Sequence, residues 1–134
     1  VVRVVTALDA GRVINPALLA GQVEGGVVMG QGYALLEHCR VHDGMPISLG
    51  FDACGLPTAM DAVPAIETIA IASPEPAGPF GARGIGEITM IPVVPAITAA
   101  IHAAIGVWID KLPALPERIL AALTAARGAR ARGD

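Results

Sequence analysis

The sequence predicts a mixed α/β fold of the α+β type, with short strands and a hairpin packed against about three helices. Three observations predict this class: a strand-like apolar opening, a long helical segment behind an asparagine–proline pair, and later proline-led helical segments. The chain has 134 residues, the size of one ordinary domain. We expect a single unit over residues 1–126 and a disordered, arginine-rich tail over residues 127–134.

The first half of the chain contains a strand, a helix and a hairpin. Residues 1–8 are predicted as a strand and residues 9–11 as a turn. Asn15 and Pro16 are typical of a helix cap and a first helical residue, and this helix is expected to run to about residue 38. Residues 39–42 and a short return strand flank an Asp43–Gly44 turn. Residues 51–64 are predicted to be irregular.

The second half contains one more strand and two helices. Residues 67–72 alternate as a strand does, and residues 73–79 contain three prolines and form a rigid loop. Residues 81–87 form a glycine-rich loop. A helix over residues 96–105 is expected to end at Gly106, and a last helix covers residues 116–126.

Composition places the chain among apolar, acidic proteins. Hydrophobic residues make up 54% and charged residues 16% of the sequence, whereas about 25% charged is typical. A chain this apolar is not disordered, so it is either inserted in a membrane or covered by more protein. A formal charge of −3 argues against a nucleic-acid partner. An opening in mid-strand indicates a fragment or one subunit of a split protein.

Cysteine usage favours a reducing, cytoplasmic location. Cys39 and Cys54 form neither a disulfide framework nor a Cys-x-x-Cys motif. The first residues lack the plan of a secretory signal.

Residues 88–109 carry no formal charge and are long enough to span a bilayer. Pro92 and Pro95 interrupt this run, and proline disrupts a helix beyond its first turn. We therefore favour a loop followed by a buried helix, with no membrane span.

The helix segment over residues 21–32 contains five glycines, each of which costs about 1 kcal/mol relative to alanine inside a helix. Gln22, Gly25, Gly26 and Met29 share one side of that helix. Either close backbone packing or a bulky ligand lying on the patch would offset the cost. The pattern favours close packing.

The second unusual feature is the loop over residues 81–87. Its alternating glycines permit positive φ angles and let N–H groups converge on an anion. Glu87 ends the loop among apolar residues, which would raise its pKa and suit it to act as a base. The alternative is a solvated glutamate, paired with Arg83.

Generic catalytic motifs do not account for the sequence. It contains no P-loop, His-Glu-x-x-His motif or serine nucleophile elbow. The histidines, His38, His42 and His102, are scattered and are interpreted as ordinary polar positions.

Several segments together resemble one family in its own order: residues 9–16, 21–26 and 81–87, with residues 56–61 and 112–118 also similar. The family is that of xanthine dehydrogenase and aldehyde oxidase, and the resemblance is to the C-terminal part of its molybdenum-binding subunit. This resemblance implies a molybdenum hydroxylase that oxidises an aldehyde or N-heteroaromatic carbon with water-derived oxygen.

The resemblance also implies roles for individual residues. Glu87 falls at the position of the catalytic base, and Gln22 at that of a glutamine that hydrogen-bonds the molybdenum centre. Gly84, Ile85 and Gly86 fall on backbone that holds the pterin, and Arg83 stands beside them where a lysine or small residue is common. No residue is expected to bind the metal directly.

The implied cofactor is molybdopterin, possibly as a dinucleotide, with iron–sulfur clusters and FAD on partner chains or domains. The implied partners are the remainder of the subunit, those redox partners and a small-molecule substrate. Ile88 replaces a usual proline and Met29 a frequent glutamine. The alternative is a non-catalytic assembly module that keeps the fold without the chemistry.

Overall fold

The computed structural model describes residues 1–61 and 64–132, and it confirms the mixed α/β class. The helices and strands are β1 (Arg3–Asp9), α1 (Pro16–Leu35), β2 (Val41–His42), β3 (Met45–Pro46), α2 (Phe51–Cys54), β4 (Ala65–Ile71), α3 (Val93–Ile105) and α4 (Pro116–Arg132). Single 3₁₀ turns cover Pro79–Gly81 and Glu87–Thr89.

Strands β1 and β4 form a two-stranded parallel sheet, in register from Arg3 opposite Ala65 to Asp9 opposite Ile71. Parallel strands need a long crossover, and here α1, the hairpin and α2 provide it. Burial alternates along β1, where Thr6 and Leu8 are buried. One face of the sheet therefore packs on the core while the other is exposed.

Helix α1 begins as predicted. The Asn15 side chain accepts a hydrogen bond from the Leu18 N–H at 3.1 Å, and Pro16 follows as the first helical residue. The helix ends at Leu35, before the predicted residue 38. The N–H of His38 donates to the Cys54 carbonyl at 2.8 Å instead of continuing the helix.

The core lies between α1, α3 and β1. Val23 and Val27 of α1 are fully buried, and they pack in one cluster with Leu8, Val93 and Ile97. The core is small, because few large side chains are completely enclosed. This geometry brings the 3₁₀ turn Glu87–Thr89 against α1.

The hairpin turn is confirmed: Asp43 and Gly44 both have positive φ, at 48° and 77°. This is the arrangement of a type I′ turn, which matches the twist of the two strands. The paired strands are shorter than predicted, since β2 covers Val41–His42 alone.

Three further helical segments differ from prediction. Residues 51–54, predicted to be irregular, form the short helix α2. Helix α3 begins at Val93 rather than residue 96, because Pro95 lies in its first turn, where proline is tolerated. It ends at Gly106, φ 71°, as predicted. Residues 127–132 continue α4 instead of forming an irregular tail, because alanine and arginine favour helix. Residues 133 and 134 lie outside the described residues.

One segment of the described chain, Glu87–Ile105, has the length and apolar composition that could cross a bilayer. It joins a 3₁₀ turn to α3, and α3 buries Val93 and Ile97 while other faces stay accessible. Helix α3 is thus buried on one side only, whereas the sequence predicted a buried helix. That it does not span a membrane stays a prediction.

Candidate functional site

A cleft of about 520 Å³ lies at the N-terminal end of α1. It is bounded by the segment after β1, the first two turns of α1 and the loop that follows the 3₁₀ turn Pro79–Gly81. Four of the predicted site residues line it: Gln22, Arg83, Ile85 and Gly86. The fold therefore brings together segments more than 60 residues apart in sequence.

Backbone pairing attaches the glycine-rich loop to the end of β1. The N–H of Arg12 donates to the Gly81 carbonyl at 2.7 Å, and the N–H of Arg83 donates to the Ala10 carbonyl at 3.0 Å. Between these bonds, Gly11 has φ 61°, and a Cβ added there would lie 2.5 Å from the Gly81 oxygen. Only glycine fits at position 11 without moving the loop.

A second attachment joins the loop to α1. The Gln22 amide Nε2 donates to the Gly86 carbonyl at 3.1 Å. The buried Thr89 hydroxyl lies 3.2 Å from the same carbonyl and 3.3 Å from the Gln22 carbonyl, so it bridges loop and helix. These contacts hold Gln22 next to the residue that precedes Glu87.

Glu87 begins the 3₁₀ turn and its side chain is exposed. The sequence predicted apolar surroundings for this carboxylate, and for the described chain that prediction is wrong. Its apolar neighbours are themselves accessible, with Ile88 41% and Ile91 67% exposed. The reason is that the 3₁₀ turn buries Thr89 against α1 and leaves the preceding residues on the outside.

One interpretation of the sequence predicts that Arg83 pairs with Glu87, and the structure does not show this pair. The Arg83 guanidinium lies 2.9 Å from the Glu75 carboxylate and 3.5 Å from that of Asp9. Two carboxylates therefore compensate the charge of Arg83. These ion pairs connect the glycine-rich loop to Asp9, at the end of β1, and to Glu75.

The cleft contains a second arginine that the sequence reasoning did not single out. Arg12 is exposed, lines the cleft and makes no ion pair with the described residues. The sequence feature that could have identified Arg12 is its position within residues 9–16, one of the segments that carry the family resemblance. Thr89 was also missed, because a buried hydroxyl that bridges two segments has no local sequence pattern.

The glycines of the loop behave differently from the prediction. Positive φ occurs at Gly81, 80°, but at neither Gly84 nor Gly86. A Cβ added at Gly84 or Gly86 would meet no atom of the described chain within 4 Å. The backbone here is therefore accessible to a ligand or to another part of the protein, but a nest of left-handed residues is not formed.

The glycine patch of α1 is divided between two environments. Gly26 faces Thr89 and Gly30 faces Val93, where an added Cβ would overlap the neighbour or lie 2.6 Å from it. Close packing, one of the two predicted explanations, is confirmed at these positions. Gly21 and Gly25 meet nothing within 4 Å and line a separate groove of about 610 Å³. The glycines therefore do not form one uniform patch, since Gly26 is packed whereas Gly25 is open.

The histidines lie away from this cleft. His102 stacks on Trp108 with ring centroids 4.0 Å apart, and His42 lies 3.5 Å from the Asp43 carboxylate. Within residues 1–61 and 64–132, no group of three potential metal-ligating side chains is assembled.

Comparisons with known proteins identify related sequences. Residues 1–63 match the model of the molybdopterin cofactor-binding domain. The chain is 40% identical over 117 residues to a probable xanthine dehydrogenase subunit of Bacillus subtilis (strain 168), covering 87% of this chain and 16% of that protein. It is 36% identical over 117 residues to the aldehyde oxidoreductase of Megalodesulfovibrio gigas, covering 87% of this chain and 13% of that protein.

Solved structures give the same relationship. Quinoline 2-oxidoreductase from Pseudomonas putida 86 superposes with a TM-score of 0.81 at 33% identity, over 90% of this chain and 16% of that one. The chain thus spans about one sixth of the length of the proteins it resembles.

Proposed function

Because this chain belongs to the molybdenum-binding subunits of the xanthine dehydrogenase and aldehyde oxidoreductase family, we propose that it supplies the catalytic base of a molybdenum hydroxylase. The reaction would oxidise an aldehyde or an N-heteroaromatic carbon with oxygen derived from water. Since the chain covers about a sixth of its relatives, this activity requires the remainder of the subunit.

The main support for the proposal is the hydrogen bond that the Gln22 side chain donates to the Gly86 carbonyl. The Thr89 hydroxyl lies within hydrogen-bond distance of the same carbonyl. The bond from Gln22 couples the amide proposed to face the metal centre to the residue before the proposed base. A base must lie within hydrogen-bond reach of the proton that it removes. Gln22 and Thr89 fix the backbone from which the Glu87 side chain would reach that proton.

The residues of the cleft suit molybdopterin. Arg12 lines the cleft, is exposed and has no ion-pair partner among the described residues, so a phosphate of the cofactor would bind there. Gly84 and Gly86 leave their backbone accessible, so an extended ring could approach the N–H and C=O groups around Ile85. Arg83 would contact the cofactor while it remains paired with Asp9 and Glu75.

Molybdopterin, when bound, supplies the redox centre that accepts two electrons from the substrate carbon. Glu87 would accept the proton of the attacking oxygen. Gln22 would orient the centre through its side-chain amide, because the bond to Gly86 uses only one of the two N–H donors on its nitrogen. Glu87 is exposed in this chain, and in the proposed enzyme the remainder of the subunit and the substrate would cover it.

Further partners follow from the same proposal. Electrons would leave through iron–sulfur clusters and FAD on other chains or domains, and the assembly would operate in the cytoplasm. A dinucleotide form of the cofactor also stays a prediction.

The test replaces Glu87 with glutamine in the complete subunit, expressed with its partners. Glu87→Gln keeps the shape of the side chain but removes its ability to accept a proton. Positioned general bases contribute roughly 10²–10⁴-fold. We expect kcat to fall by at least that order while the molybdenum content stays equal to that of the unmodified enzyme.

Glu117→Gln is the matched control, since Glu117 is an exposed glutamate in the first turn of α4. It should change neither turnover nor metal content. Full turnover in the Glu87→Gln enzyme would reject the base and favour the assembly module. Loss of molybdenum together with activity would instead assign Glu87 to cofactor retention.

A further inference from the structure

The two cysteines lie together outside the cleft, beyond the C-terminal end of α1. The Cys39 thiol donates to the Cys54 sulfur, and the two Sγ atoms are 3.1 Å apart. Neither residue has a place in the proposed hydroxylase chemistry. We propose that Cys39 and Cys54 are a modification site that forms a reversible disulfide when oxidised by a low-molecular-weight disulfide such as oxidised glutathione.

Backbone contacts already bring the two segments together. The N–H of His38, the residue before Cys39, donates to the Cys54 carbonyl at 2.8 Å. At Gly55, the residue after Cys54, an added Cβ would lie 2.8 Å from the Leu36 carbonyl oxygen. A disulfide needs two backbones at such close approach, so the bond can form without moving either segment far.

The two thiols differ in accessibility. Cys39 is exposed, whereas Cys54 is partly covered and donates to the Ser48 carbonyl at 3.7 Å. The neighbouring Cys39 thiol and burial raise the pKa of the Cys54 thiol. Because Cys39 is the more accessible of the two thiols, it meets the reagent first and Cys54 follows.

The chemistry is two successive thiol–disulfide exchanges. The Cys39 thiolate attacks one sulfur of oxidised glutathione, forms a mixed disulfide and releases one glutathione. The Cys54 thiolate then attacks the Cys39 sulfur, which forms the protein disulfide and releases the second glutathione. The protein loses two electrons and two protons, and the reagent disulfide is reduced to two thiols.

The covalent bond would close the segment over residues 39–54, which contains β2, β3 and α2. Large apolar side chains of this segment, among them Val41, Met45 and Phe51, are exposed. A disulfide at its base limits how far the segment can open. We expect oxidation to protect it from proteolysis.

The experiment uses the complete subunit in its complex. The protein is treated with oxidised glutathione, the remaining thiols are alkylated under denaturing conditions, and the peptides are identified by mass spectrometry. The expected result is loss of both alkylatable thiols, a Cys39–Cys54 crosslinked peptide, recovery of both thiols with dithiothreitol and slower cleavage within residues 39–54. Persistent alkylation of both cysteines, or glutathione that remains on Cys39, would overturn the proposal.

Single variants test the order of the two steps. Cys54→Ser should retain glutathione on Cys39, because the second thiol is missing, whereas Cys39→Ser should leave Cys54 alkylatable. The molybdenum content of both variants reports whether they fold and assemble. Glutathione on Cys54 in the Cys39→Ser protein, with none on Cys39 in the Cys54→Ser protein, would contradict the assignment.

Discussion

Arg12 and Arg83 both line the cleft, but their electrostatic environments differ. Arg83 is paired with Asp9 and Glu75, so most of its charge is already compensated within the chain. Arg12 has no such partner among the described residues and is exposed at the cleft. An anionic group of a cofactor would therefore gain more from Arg12 than from Arg83.

We predict that Arg12→Ala weakens cofactor retention in the complete subunit. Loss of one charge-assisted hydrogen bond costs about 1.5–3 kcal/mol, which corresponds to roughly tenfold or more in affinity. The measurement is molybdenum content after dialysis. Arg12→Lys should restore part of it, and Arg40→Ala, an exposed arginine outside the cleft, should leave it unchanged. Equal molybdenum content in the Arg12→Ala protein would contradict a role for this residue.

At the scale of elements, α1 combines two kinds of glycine. Gly26 and Gly30 permit the approach of Thr89 and Val93, so their cost to the helix is offset by close packing. Gly25 is one residue from Gly26, yet it faces an open groove. Neighbouring glycines in one helix therefore have opposite expected responses to substitution.

We predict that Gly26→Ala lowers the free energy of unfolding of the 134-residue chain by about 1–3 kcal/mol, since the added methyl group overlaps Thr89. Gly25→Ala should raise it by roughly 0.5–1 kcal/mol, because alanine favours the helix and meets no neighbour. Denaturant unfolding measures both. The packing of α1 against the 3₁₀ turn would be disproved if the two variants shifted stability in the same direction.

Considered as a whole molecule, the chain exposes more large apolar side chains than it buries. Twenty large apolar residues are exposed among the described residues, against ten apolar residues in the buried core. The outer face of the parallel sheet contributes Val5, Ile69 and Ile71, each between 45% and 48% exposed. Parallel sheets are normally covered on both faces, so this surface is suited to contact with more protein.

The 134-residue chain, purified by itself, should therefore self-associate and contain no molybdenum. Sedimentation velocity over a range of concentrations provides the measurement, and we expect the mean mass to rise with concentration. Val5→Thr combined with Ile69→Thr removes apolar area from the exposed sheet face and should reduce the association. A monomer at every concentration would show that these surfaces do not drive contact.

The sequence by itself determined three local features: the start of α1 at Asn15–Pro16, the Asp43–Gly44 turn and the end of α3 at Gly106. Caps and left-handed turns depend on a few adjacent residues. The residue pattern singled out Gln22, the loop over residues 81–87 and Glu87, whereas their roles came from the family resemblance and remain proposals. Tertiary structure decided which glycines are packed, which carboxylates face Arg83 and that Glu87 is exposed. These features depend on contacts such as that between Gln22 and Gly86, 64 residues apart, which no local preference encodes.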